Sequence, residues 1–364
     1  MNYTIKQHKK NIKKDDYSFF VLGGDIGGNN TTLGVAGIRK NSNKPTQLFS
    51  FHFKSRELDS LIPALKLVCN YSRDNYGIEL KNACFGAAGA VLEEQDFAEL
   101  TNLDWAIDAK EILKKTPLES VVIINDFQAI GYGINCLDFC SCDDIIKLKP
   151  GISDKSGQTK AIIGAGTGLG KSILFYDRQN ELYIPMPSEG GHGDFPVYDE
   201  FELNLLNFIK KSGGSKKPVS YEEVLSGRGI AAIYMFLRST GKFKTTEYTC
   251  EIESGEDKAP IISKYRSVDE TCAETFKIYT KFYGRCAKNF VLDTLATGGL
   301  YIAGGIASKN REIFKTGEFI NEFENAKNQV EILRKIQGYV IVNYDVGLYG
   351  AQVYAVQRIK ENIR

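Results

Sequence analysis

Apolar and polar positions in the first forty residues predict two strands joined by a glycine-rich turn. Residues 17–22 are apolar and aromatic, which is typical of a buried strand. They run into the turn Gly23-Gly24-Asp25-Ile26-Gly27-Gly28-Asn29-Asn30, and a second strand pattern follows at 31–38. The same order returns in the second half of the chain, with a strand at 160–163, a glycine-rich turn at 164–170 and a strand at 172–176.

The rest of the pattern mixes strands and helices throughout. Strands are predicted at 82–86, 118–124, 299–303 and 339–343. Helices are predicted at 58–75, 127–134, 201–211, 221–240, 267–296 and 347–363. The polar stretch 241–258, which has glycine and mixed charges, is predicted to be a loop or insertion. This mixed order indicates the α/β class.

The two glycine-rich turns narrow the fold further. In a P-loop or a dinucleotide-binding fold, such a turn opens a helix whose N-terminus holds phosphate. Here each turn is followed by strand-like residues, Leu33-Gly34-Val35-Ala36 and Lys171-Ser172-Ile173-Leu174. Two copies of strand, glycine turn and strand favour a duplicated α/β fold that grips phosphate between two lobes. Because glycine serves any tight turn, two inert hairpins are the alternative.

Chain length predicts two lobes. At 364 residues the chain exceeds the size, about 250–300 residues, at which one hydrophobic core usually stops growing. We expect a small α/β domain formed by residues 18–135 and 345–364 and a large α/β domain formed by residues 136–344. Residues 1–17 are polar and predict a flexible tail.

Charge and cysteine content exclude several classes of function. The formal net charge of +1 gives no field that would attract nucleic acid or an anionic membrane, so neither is expected as a partner. No apolar run approaches the roughly 18 residues of a membrane span, and residues 1–16 lack the apolar core of a secretory signal. The eight cysteines include no CxxC pair, which favours reduced thiols in the cytoplasm. Cys136, Cys140 and Cys142 cluster without a nearby histidine, so no structural zinc is expected.

Seven motifs follow one another along residues 18–355: Gly24-Asp25-Ile26-Gly27-Gly28, Thr101-Asn102-Leu103-Asp104-Trp105, Ile124-Asn125-Asp126-Phe127, Gly164 to Gly170, Ser188-Glu189-Gly190-Gly191-His192, Glu222 to Gly227, and Tyr301 to Ile306. In this order they resemble the bacterial glucokinases, a family of the hexokinase/actin-like ATPase superfamily. Each glycine motif alone is a weak signal, whereas their joint order is specific. The resemblance implies a two-lobed actin-like, ribonuclease H-like duplicated fold with the active site in the cleft between the lobes.

The same resemblance implies ATP as the phosphoryl donor, with Mg²⁺. The residues that would bind them are Asp25, Gly27, Gly28, Asn29, Asn30, Gly166, Thr167, Gly168, Gly304 and Gly305. Asp25 would hold Mg²⁺ indirectly, because Mg²⁺ sheds its water reluctantly; a turn-forming aspartate is the alternative. Asn29 stands where the family usually has a threonine that contacts phosphate, so either Asn29 or Thr31 would take that place.

Asp126 is the candidate catalytic base, since phosphoryl transfer needs a group that takes the hydroxyl proton. It follows the strand predicted at 118–124, and α/β sheets bind ligands at the carboxyl ends of their strands. The alternative is that Asp126 caps the helix predicted to begin at Phe127, because aspartate is a favoured cap. The resemblance favours the catalytic role.

By the same resemblance the sugar would be bound by Thr101, Asn102, Asn125, Asp126, Glu189, His192 and Glu222. Ser220 and Glu223 have the S-x-x-E spacing of a capping box, which leaves Glu222 as the sugar ligand. For His192 the alternative is a structural histidine, and Trp105 is expected to be a packing residue.

These expectations combine into a cytoplasmic kinase of this family, which transfers the γ-phosphoryl group of MgATP to the 6-hydroxyl of D-glucose and so feeds glycolysis. A kinase for mannose or an N-acetylhexosamine is one alternative, and a non-catalytic sugar-sensing protein on the same scaffold is another. Residues 1–17 are too short and polar for a helix-turn-helix, which disfavours a DNA-binding regulator. A homodimer is left open.

Overall fold

The chain divides into two compact units. The first consists of residues 1–139, 179–185 and 343–364, and the second of residues 140–178 and 186–342. The computed structural model describes residues 1–40, 42, 44–92, 94–101, 103–151, 158–214 and 216–363. The domain limits expected from the sequence, 18–135 with 345–364 and 136–344, stay a prediction beside these units.

Strands and helices alternate along the chain. The strands are β1 (Tyr3–Gln7), β2 (Tyr17–Ile26), β3 (Asn30–Arg39), β4 (Pro45–Lys54), β5 (Asn82–Ala87), β6 (Gly89–Val91), β7 (Phe97–Leu100), β8 (Ala106–Asp108), β9 (Ser120–Asn125), β10 (Ile145–Lys149), β11 (Lys160–Ala165), β12 (Leu169–Asp177), β13 (Leu182–Ser188), β14 (Leu300–Ala303) and β15 (Gly338–Ile341). The α-helices are α1 (Ile62–Tyr76), α2 (Ala109–Lys115), α3 (Asp126–Gly133), α4 (Glu200–Gly213), α5 (Tyr221–Val224), α6 (Gly227–Ser239), α7 (Thr249–Ser254), α8 (Lys258–Tyr265), α9 (Glu270–Thr294), α10 (Gly305–Lys309), α11 (Glu318–Glu324), α12 (Val330–Lys335) and α13 (Val346–Ile363). Within the described ranges no helix is both long and apolar enough to cross a membrane.

The first unit is built on a mixed sheet of order β1-β4-β3-β2-β5-β9, beside a small sheet of β6, β7 and β8. Strands β2 and β3 form an antiparallel hairpin in which Ile26 pairs with Thr31. Strand β5 runs parallel to both β2 and β9, so the carboxyl ends of these three strands lie at one edge. The first predicted unit of strand, glycine turn and strand is therefore confirmed.

Helices cover both faces of this sheet. Buried residues of α1, among them Leu65 and Val68, belong to the same apolar cluster as Phe51 and Phe85 of the sheet. On the other face α13 comes very close to the sheet: a Cβ added at Gly23 would lie 2.5 Å from Gln352 Cγ. Because Gly23 has no side chain, α13 can pack this close to the strand.

Residues 3–7 correct the prediction of a flexible tail. They form β1, which pairs antiparallel with β4 from Tyr3 opposite Phe53 to Gln7 opposite Phe49. The Tyr3 ring lies 5.5 Å from the Phe51 ring and 6.0 Å from the Phe53 ring, measured between centroids. The polar composition hid the strand because every residue of β1 is exposed, as befits an edge strand.

The second unit contains the sheet order β10-β15-β14-β11-β12, and of β13 only residues 186–188 belong to this unit. Strands β11 and β12 form an antiparallel hairpin in which Ala165 pairs with Leu169. Strand β14 runs parallel to β11 and to β15. The second predicted unit of strand, glycine turn and strand is thus also confirmed.

A buried ion network ties together three helices of the second unit. The Arg285 side chain of α9 is 0% exposed and donates to both carboxylate oxygens of Glu202, at 2.7 and 2.8 Å. Its Nε donates to Glu322 of α11 at 2.8 Å. Every buried charge in this network has an opposite partner, which is the condition under which charges are tolerated in an interior.

Two predicted segments differ from the structure. The stretch 241–258, expected to be a loop, contains α7 and the first residue of α8. Pro260 is the third residue of α8, and the first turn of a helix tolerates proline. The single helix expected at 221–240 is two helices, because Ser226 interrupts it and caps α6 by accepting from the Gly229 N–H.

Candidate active site

Two aspartates lie at the carboxyl edge of the first unit's sheet. Asp25 near the end of β2 pairs in register with Gly86 of β5, and the residue after Gly86 pairs with Asn125 at the end of β9. Asp126 follows as the first residue of α3. A Cβ added at Gly86 would lie 2.9 Å from Ala129 Cβ, so this glycine lets the start of α3 approach the sheet edge.

The Asp25 carboxylate is partly buried against the first turn of α13. A Cβ added at Gly347 of that turn would lie 3.0 Å from Asp25 Oδ2. Burial raises the pKa of Asp25 to about 7, and the negative charges of Asp126 and Asp345 add to this effect. A cation near Asp25 would relieve both effects.

Asn125, and not Asp126, caps α3. The Asn125 Oδ1 accepts from the N–H groups of Phe127 and Gln128, at 2.9 and 3.4 Å. Asp126 is the first helical residue, and its Oδ1 accepts from the Phe127 N–H at 2.8 Å. Burial raises the pKa of Asp126, while backbone N–H donors and the Asn125 side chain act in the opposite direction. The alternative in which Asp126 serves as the N-cap is therefore wrong.

Thr101 lies at the same sheet edge as the two aspartates. Its N–H and Oγ1 both donate to the carbonyl oxygen of Ala88, at 3.1 and 3.3 Å, immediately beyond the end of β5. Its side chain is exposed. Asn102 lies outside the described residues. Trp105 packs, partly buried, against the apolar cluster beneath α1, as expected for a packing residue.

The turn of the first hairpin, formed by Gly27, Gly28, Asn29 and Asn30, is held by a serine that the sequence did not single out. Ser55 Oγ donates to the Gly27 carbonyl at 2.6 Å, and the Ser55 N–H donates to the Asn29 carbonyl at 3.1 Å. The turn is thus fixed from outside the hairpin. Only the pairing of β3 with β4, which brings residue 55 beside the turn, reveals this role.

Asn29 and Thr31 differ in exposure. Thr31 is 0% exposed, and its hydroxyl is hydrogen-bonded to Ser55 Oγ at 2.9 Å. Asn29 and Asn30 are exposed, and Asn30 Oδ1 accepts from Lys54 Nζ at 2.9 Å. Of the two candidates, Asn29 is the one whose side chain can reach a ligand.

In the second unit, two glycine motifs meet at the ends of neighbouring parallel strands. The Gly166 N–H donates to the Gly168 carbonyl at 2.9 Å and closes the turn around Thr167, whose side chain is exposed. Gly304, with a φ of +88°, follows β14, and a Cβ there would lie 2.4 Å from the Ala165 carbonyl oxygen. A Cβ added at Gly166 or at Gly305 would meet no atom of the described residues within 4 Å.

Glu222 lies directly behind the second glycine turn. Its Oε2 accepts from the Leu169 N–H at 3.1 Å, and its Oε1 pairs with Arg228 at 2.8 Å. The expected capping box between Ser220 and Glu223 is present, since the Ser220 N–H donates to Glu223 Oε2 at 2.8 Å. Glu223 has the structural task predicted for it, while Glu222 faces the turn.

Glu189 and His192 flank a short helical turn beside the same Leu169. His192 Nε2 lies 3.5 Å from Glu189 Oε2, and the two side chains are 63% and 92% exposed, respectively. Because His192 is so exposed, it is not a buried structural histidine. A Cβ at Gly191 would lie 2.0 Å from the Leu169 carbonyl oxygen, so the turn packs directly on the strand whose N–H binds Glu222.

The expected residues therefore form two groups. The first unit brings together Asp25, Gly27, Gly28, Asn29, Asn30, Thr101, Asn125 and Asp126. The second unit brings together Gly166, Thr167, Gly168, Glu189, His192, Glu222, Gly304 and Gly305. Across the described ranges, no set of three or more His, Cys, Asp or Glu side chains is placed to hold a metal ion.

Several solved structures share this fold. A glucokinase from an Antarctic psychrotroph superimposes with a TM-score of 0.77 at 24% identity, covering 93% of this chain and 99% of that one. A glucokinase from Balamuthia mandrillaris in complex with glucose gives 0.73 at 22%, covering 93% and 94%. A ROK family transcriptional regulator also matches, with 0.63 at 13% identity, covering 96% and 80%. The chain has the actin-like ATPase fold of the sugar kinases, and function must be argued from residues because a regulator shares it.

Sequence comparison identifies the family. The profile of the family described as Glucokinase matches residues 22–358. A glucokinase of Trichormus variabilis is 33% identical over 350 residues, which cover 93% of this chain and 99% of the relative. A glucokinase of Synechocystis sp. is 34% identical over 354 residues, covering 92% and 98%. The chain belongs to the glucokinase family.

Proposed function

We propose that the protein is an ATP-dependent hexose kinase whose acceptor is D-glucose and whose products are glucose 6-phosphate and ADP. The observation that carries the proposal is the position of Asp126. Its carboxylate stands at the carboxyl edge of the sheet with Asp25, and the helix that follows does not need it as a cap. In a chain of the glucokinase family, such a carboxylate is suited to take a proton.

The first unit would supply the base and part of the sugar site. Asp126 accepts the proton of the 6-hydroxyl as that oxygen attacks the γ-phosphorus, a role that typically contributes about 10²–10⁴ in rate. Asn125 keeps its Oδ1 for the helix cap, and its Nδ2 group, which has two hydrogens, would donate to a sugar oxygen as well as to Asp126. By the resemblance to the family, Thr101 and Asn102 would also contact the sugar.

The second unit would supply phosphate contacts and the remaining sugar ligands. The open space above Gly166 and Gly305 supports a bound nucleotide, with Thr167 and Gly168 at the phosphates and Gly304 behind the adenosine. Glu189, His192 and Glu222 would bind sugar hydroxyls, since carboxylates accept and imidazole exchanges hydrogen bonds with them. Glu222 would do so while keeping its contact with Arg228.

The residues present fit a magnesium ion that arrives with ATP. Asp25 is an oxygen ligand whose negative charge is disfavoured by burial and by two nearby carboxylates, which a divalent cation would compensate. Mg²⁺ commonly binds through one or two carboxylates, waters and substrate phosphates rather than an all-protein cage. Its contribution would be to neutralise charge on the phosphates, with Asp25, Gly27, Gly28, Asn29 and Asn30 around it.

The test is a coupled assay with a panel of sugars and phosphoryl donors. We expect turnover with glucose and MgATP, loss of turnover in EDTA, and a higher kcat/KM for glucose than for mannose or N-acetylglucosamine. If an N-acetylhexosamine is a better substrate than glucose, the assignment of glucose as the acceptor is wrong, whereas the assignment as a hexose kinase stands. Full activity with polyphosphate, or without a divalent metal, would refute the roles of Asp25 and Thr167. Absence of any phosphoryl transfer would favour a sugar-sensing protein.

The proposed setting of the reaction is the cytoplasm. Cys69, Cys84, Cys272 and Cys286 are buried thiols that form no disulfide, and this supports a reducing compartment. A homodimer and a monomer are the two alternatives for the oligomeric state, and measurement of the molecular mass in solution distinguishes them.

A further inference from the structure

Lys171 is a buried lysine without a carboxylate partner. It is the third residue of β12, just after the second glycine turn, and it is only 6% exposed. Among the described residues, no carboxylate oxygen lies within ion-pair distance of its Nζ. A buried ammonium with no counter-ion is costly, since burial removes the hydration that stabilises the charge.

Aromatic rings and a thiol surround this ammonium. Lys171 Nζ lies 4.2 Å from the centroid of the Tyr221 ring and 5.4 Å from that of the Phe290 ring, distances at which a cation is attracted to ring faces. Burial raises the pKa of the Cys286 thiol to about 11, although Lys171 acts to lower it. The thiol is therefore neutral at pH 7 and cannot serve as a counter-ion.

The surroundings of Arg285 show what a purely structural buried cation looks like in the same unit. Arg285 is bound by the carboxylates of Glu202 and Glu322, so its charge is compensated within the core. Lys171 has ring faces instead of carboxylates. This arrangement holds the amine in place without neutralising it, and stability alone does not explain it.

The side chain of Lys171 packs against the turn that carries Glu189 and His192. A Cβ added at Gly190, the residue after Glu189, would lie 3.1 Å from Lys171 Cδ and 3.7 Å from its Nζ. The ring that holds the amine belongs to Tyr221, the residue before Glu222, and the Tyr221 N–H donates to the Gly193 carbonyl at 2.9 Å. Lys171 therefore touches the chain immediately beside two proposed sugar ligands.

We infer that Lys171 is a positioning residue of the hexose site, which holds the turn carrying Glu189 and His192 in register with the start of α5 carrying Glu222. The inference rests on the proposed function. Attraction between the ammonium and the Tyr221 ring links the two segments from below. Without that link the three polar side chains would lose their common geometry, and sugar binding would weaken before the phosphate contacts or the proton transfer changed.

The test compares Lys171→Met with Lys149→Met. Methionine has a similar length and suits an aromatic surrounding, so we expect the Lys171 variant to melt no lower than the wild type. We expect its KM for glucose, and the Kd for glucose by calorimetry, to rise at least tenfold, with KM for MgATP within twofold and kcat within threefold. Lys149 is also buried, but it is bound to Glu324 at 3.0 Å and to the Arg334 carbonyl at 2.8 Å. Lys149→Met should lower the melting temperature and leave both KM values unchanged.

A second pair of variants tests the ring. Tyr221→Leu removes the ring and should reproduce the glucose defect, whereas Tyr221→Phe keeps the ring, loses only the hydroxyl bonded by Asn289 and should bind glucose normally. This pair decides the matter if Lys171→Met does not fold. If the wild type is active and the KM and Kd for glucose are unchanged in Lys171→Met or in Tyr221→Leu, the inference about Lys171 is wrong, whereas the proposed function stands. A wild type that neither phosphorylates nor binds any hexose overturns the proposed function and the inference together.

Discussion

The two glycine hairpins share one plan, yet their surroundings differ in kind. The turn after β2 lies among side chains that carry charge: Asp25, with Asp126 and Asp345 close enough to raise its pKa. Beside the turn after β11, the carboxylate of Glu222 is paired with Arg228 at 2.8 Å. A Cβ added at Gly166 of this turn would meet no atom of the described residues within 4 Å, so space lies open there. In the proposed function, the first hairpin lies beside the charged groups and the second leaves room for the nucleotide.

A second comparison concerns the helices that reach the two turns. The sequence places a strand after each glycine turn, which argued against a phosphate-binding helix there. In the structure, Gly347 in the first turn of α13 lies against Asp25, and the N–H of Gly227, the first residue of α6, donates to the Gly166 carbonyl at 3.0 Å. Each turn therefore meets a helix N-terminus supplied from a distant part of the chain. In a P-loop the helix follows the turn directly along the chain, whereas here each turn joins two strands and the helix meets it only in space.

The largest expected effect is that of Asp126→Asn, at the start of α3 beside the first glycine turn. The amide cannot accept the sugar's proton, so kcat should fall by about 10²–10⁴ with glucose binding retained. The melting temperature should stay close to that of the wild type because Asn125 still caps α3. Steady-state kinetics and calorimetric glucose titration measure the two parts.

Asp108→Asn is the matched control for this substitution. Asp108 caps α2 by accepting from the N–H groups of Lys110 and Glu111, and asparagine caps equally well. Its kcat should not change. If Asp126→Asn kept a normal kcat, the centre of the proposed mechanism would be removed.

The next effect is on stability and concerns Asp25→Asn. Burial raises the pKa of Asp25 to about 7 in the folded protein from the usual 3.8, so ionisation of this carboxyl destabilises the folded state as the pH rises above about 4. Asparagine carries no such penalty. The variant should be more stable than the wild type above pH 7, by about 4 kcal/mol at most, and the difference should vanish towards pH 4. Urea unfolding of the metal-free protein in EDTA, across this pH range, measures it. If the stability difference between Asp25→Asn and the wild type did not change with pH, the raised pKa of Asp25 would be contradicted.

A smaller effect tests the open space at Gly166 in the second glycine turn. Gly166→Val would fill the space assigned to the nucleotide, so KM for MgATP should rise about tenfold or more, with little change in the KM for glucose. Gly213→Val is the control: this exposed glycine at the end of α4 also has open space around its Cβ, but it lies in no glycine turn. An unchanged nucleotide KM in Gly166→Val would mean that the space serves no ligand.

The smallest effect separates capping from sugar binding at Asn125. Asn125→Ala should cost about 1 kcal/mol of stability through the lost cap. Asn125→Asp keeps the cap and should be nearly as stable as the wild type, but it loses the Nδ2 donor and should raise the KM for glucose. Thermal melting and kinetics on the two variants distinguish these roles, and equal glucose affinity in both variants and the wild type would leave Asn125 with the cap alone.

Local patterns made both hairpins predictable, because a glycine turn between two apolar runs is a short-range signal. The position of Asp126 followed likewise from the strand before it. The cap could not be assigned from sequence, since neighbouring asparagine and aspartate are equally suitable and only the backbone shows that Asn125 occupies the position. Lys171 gave no sign of burial, because a lysine beside a turn normally lies in solvent. Ser55 was missed for a related reason: its bond to Gly27 depends on strand pairing rather than on sequence neighbours.

Strand β1 also protects a surface that would be hazardous if uncovered. Strand β4 carries Phe49, Phe51 and Phe53, and its edge would present unpaired backbone groups along an aromatic ribbon, a template for intermolecular β-sheet growth. Strand β1 occupies that edge with five exposed residues, including Lys6, and short, charged edges resist the addition of another chain. The segment predicted to be a flexible tail therefore covers this edge, and we expect a preparation trimmed to begin at Tyr17 to self-associate.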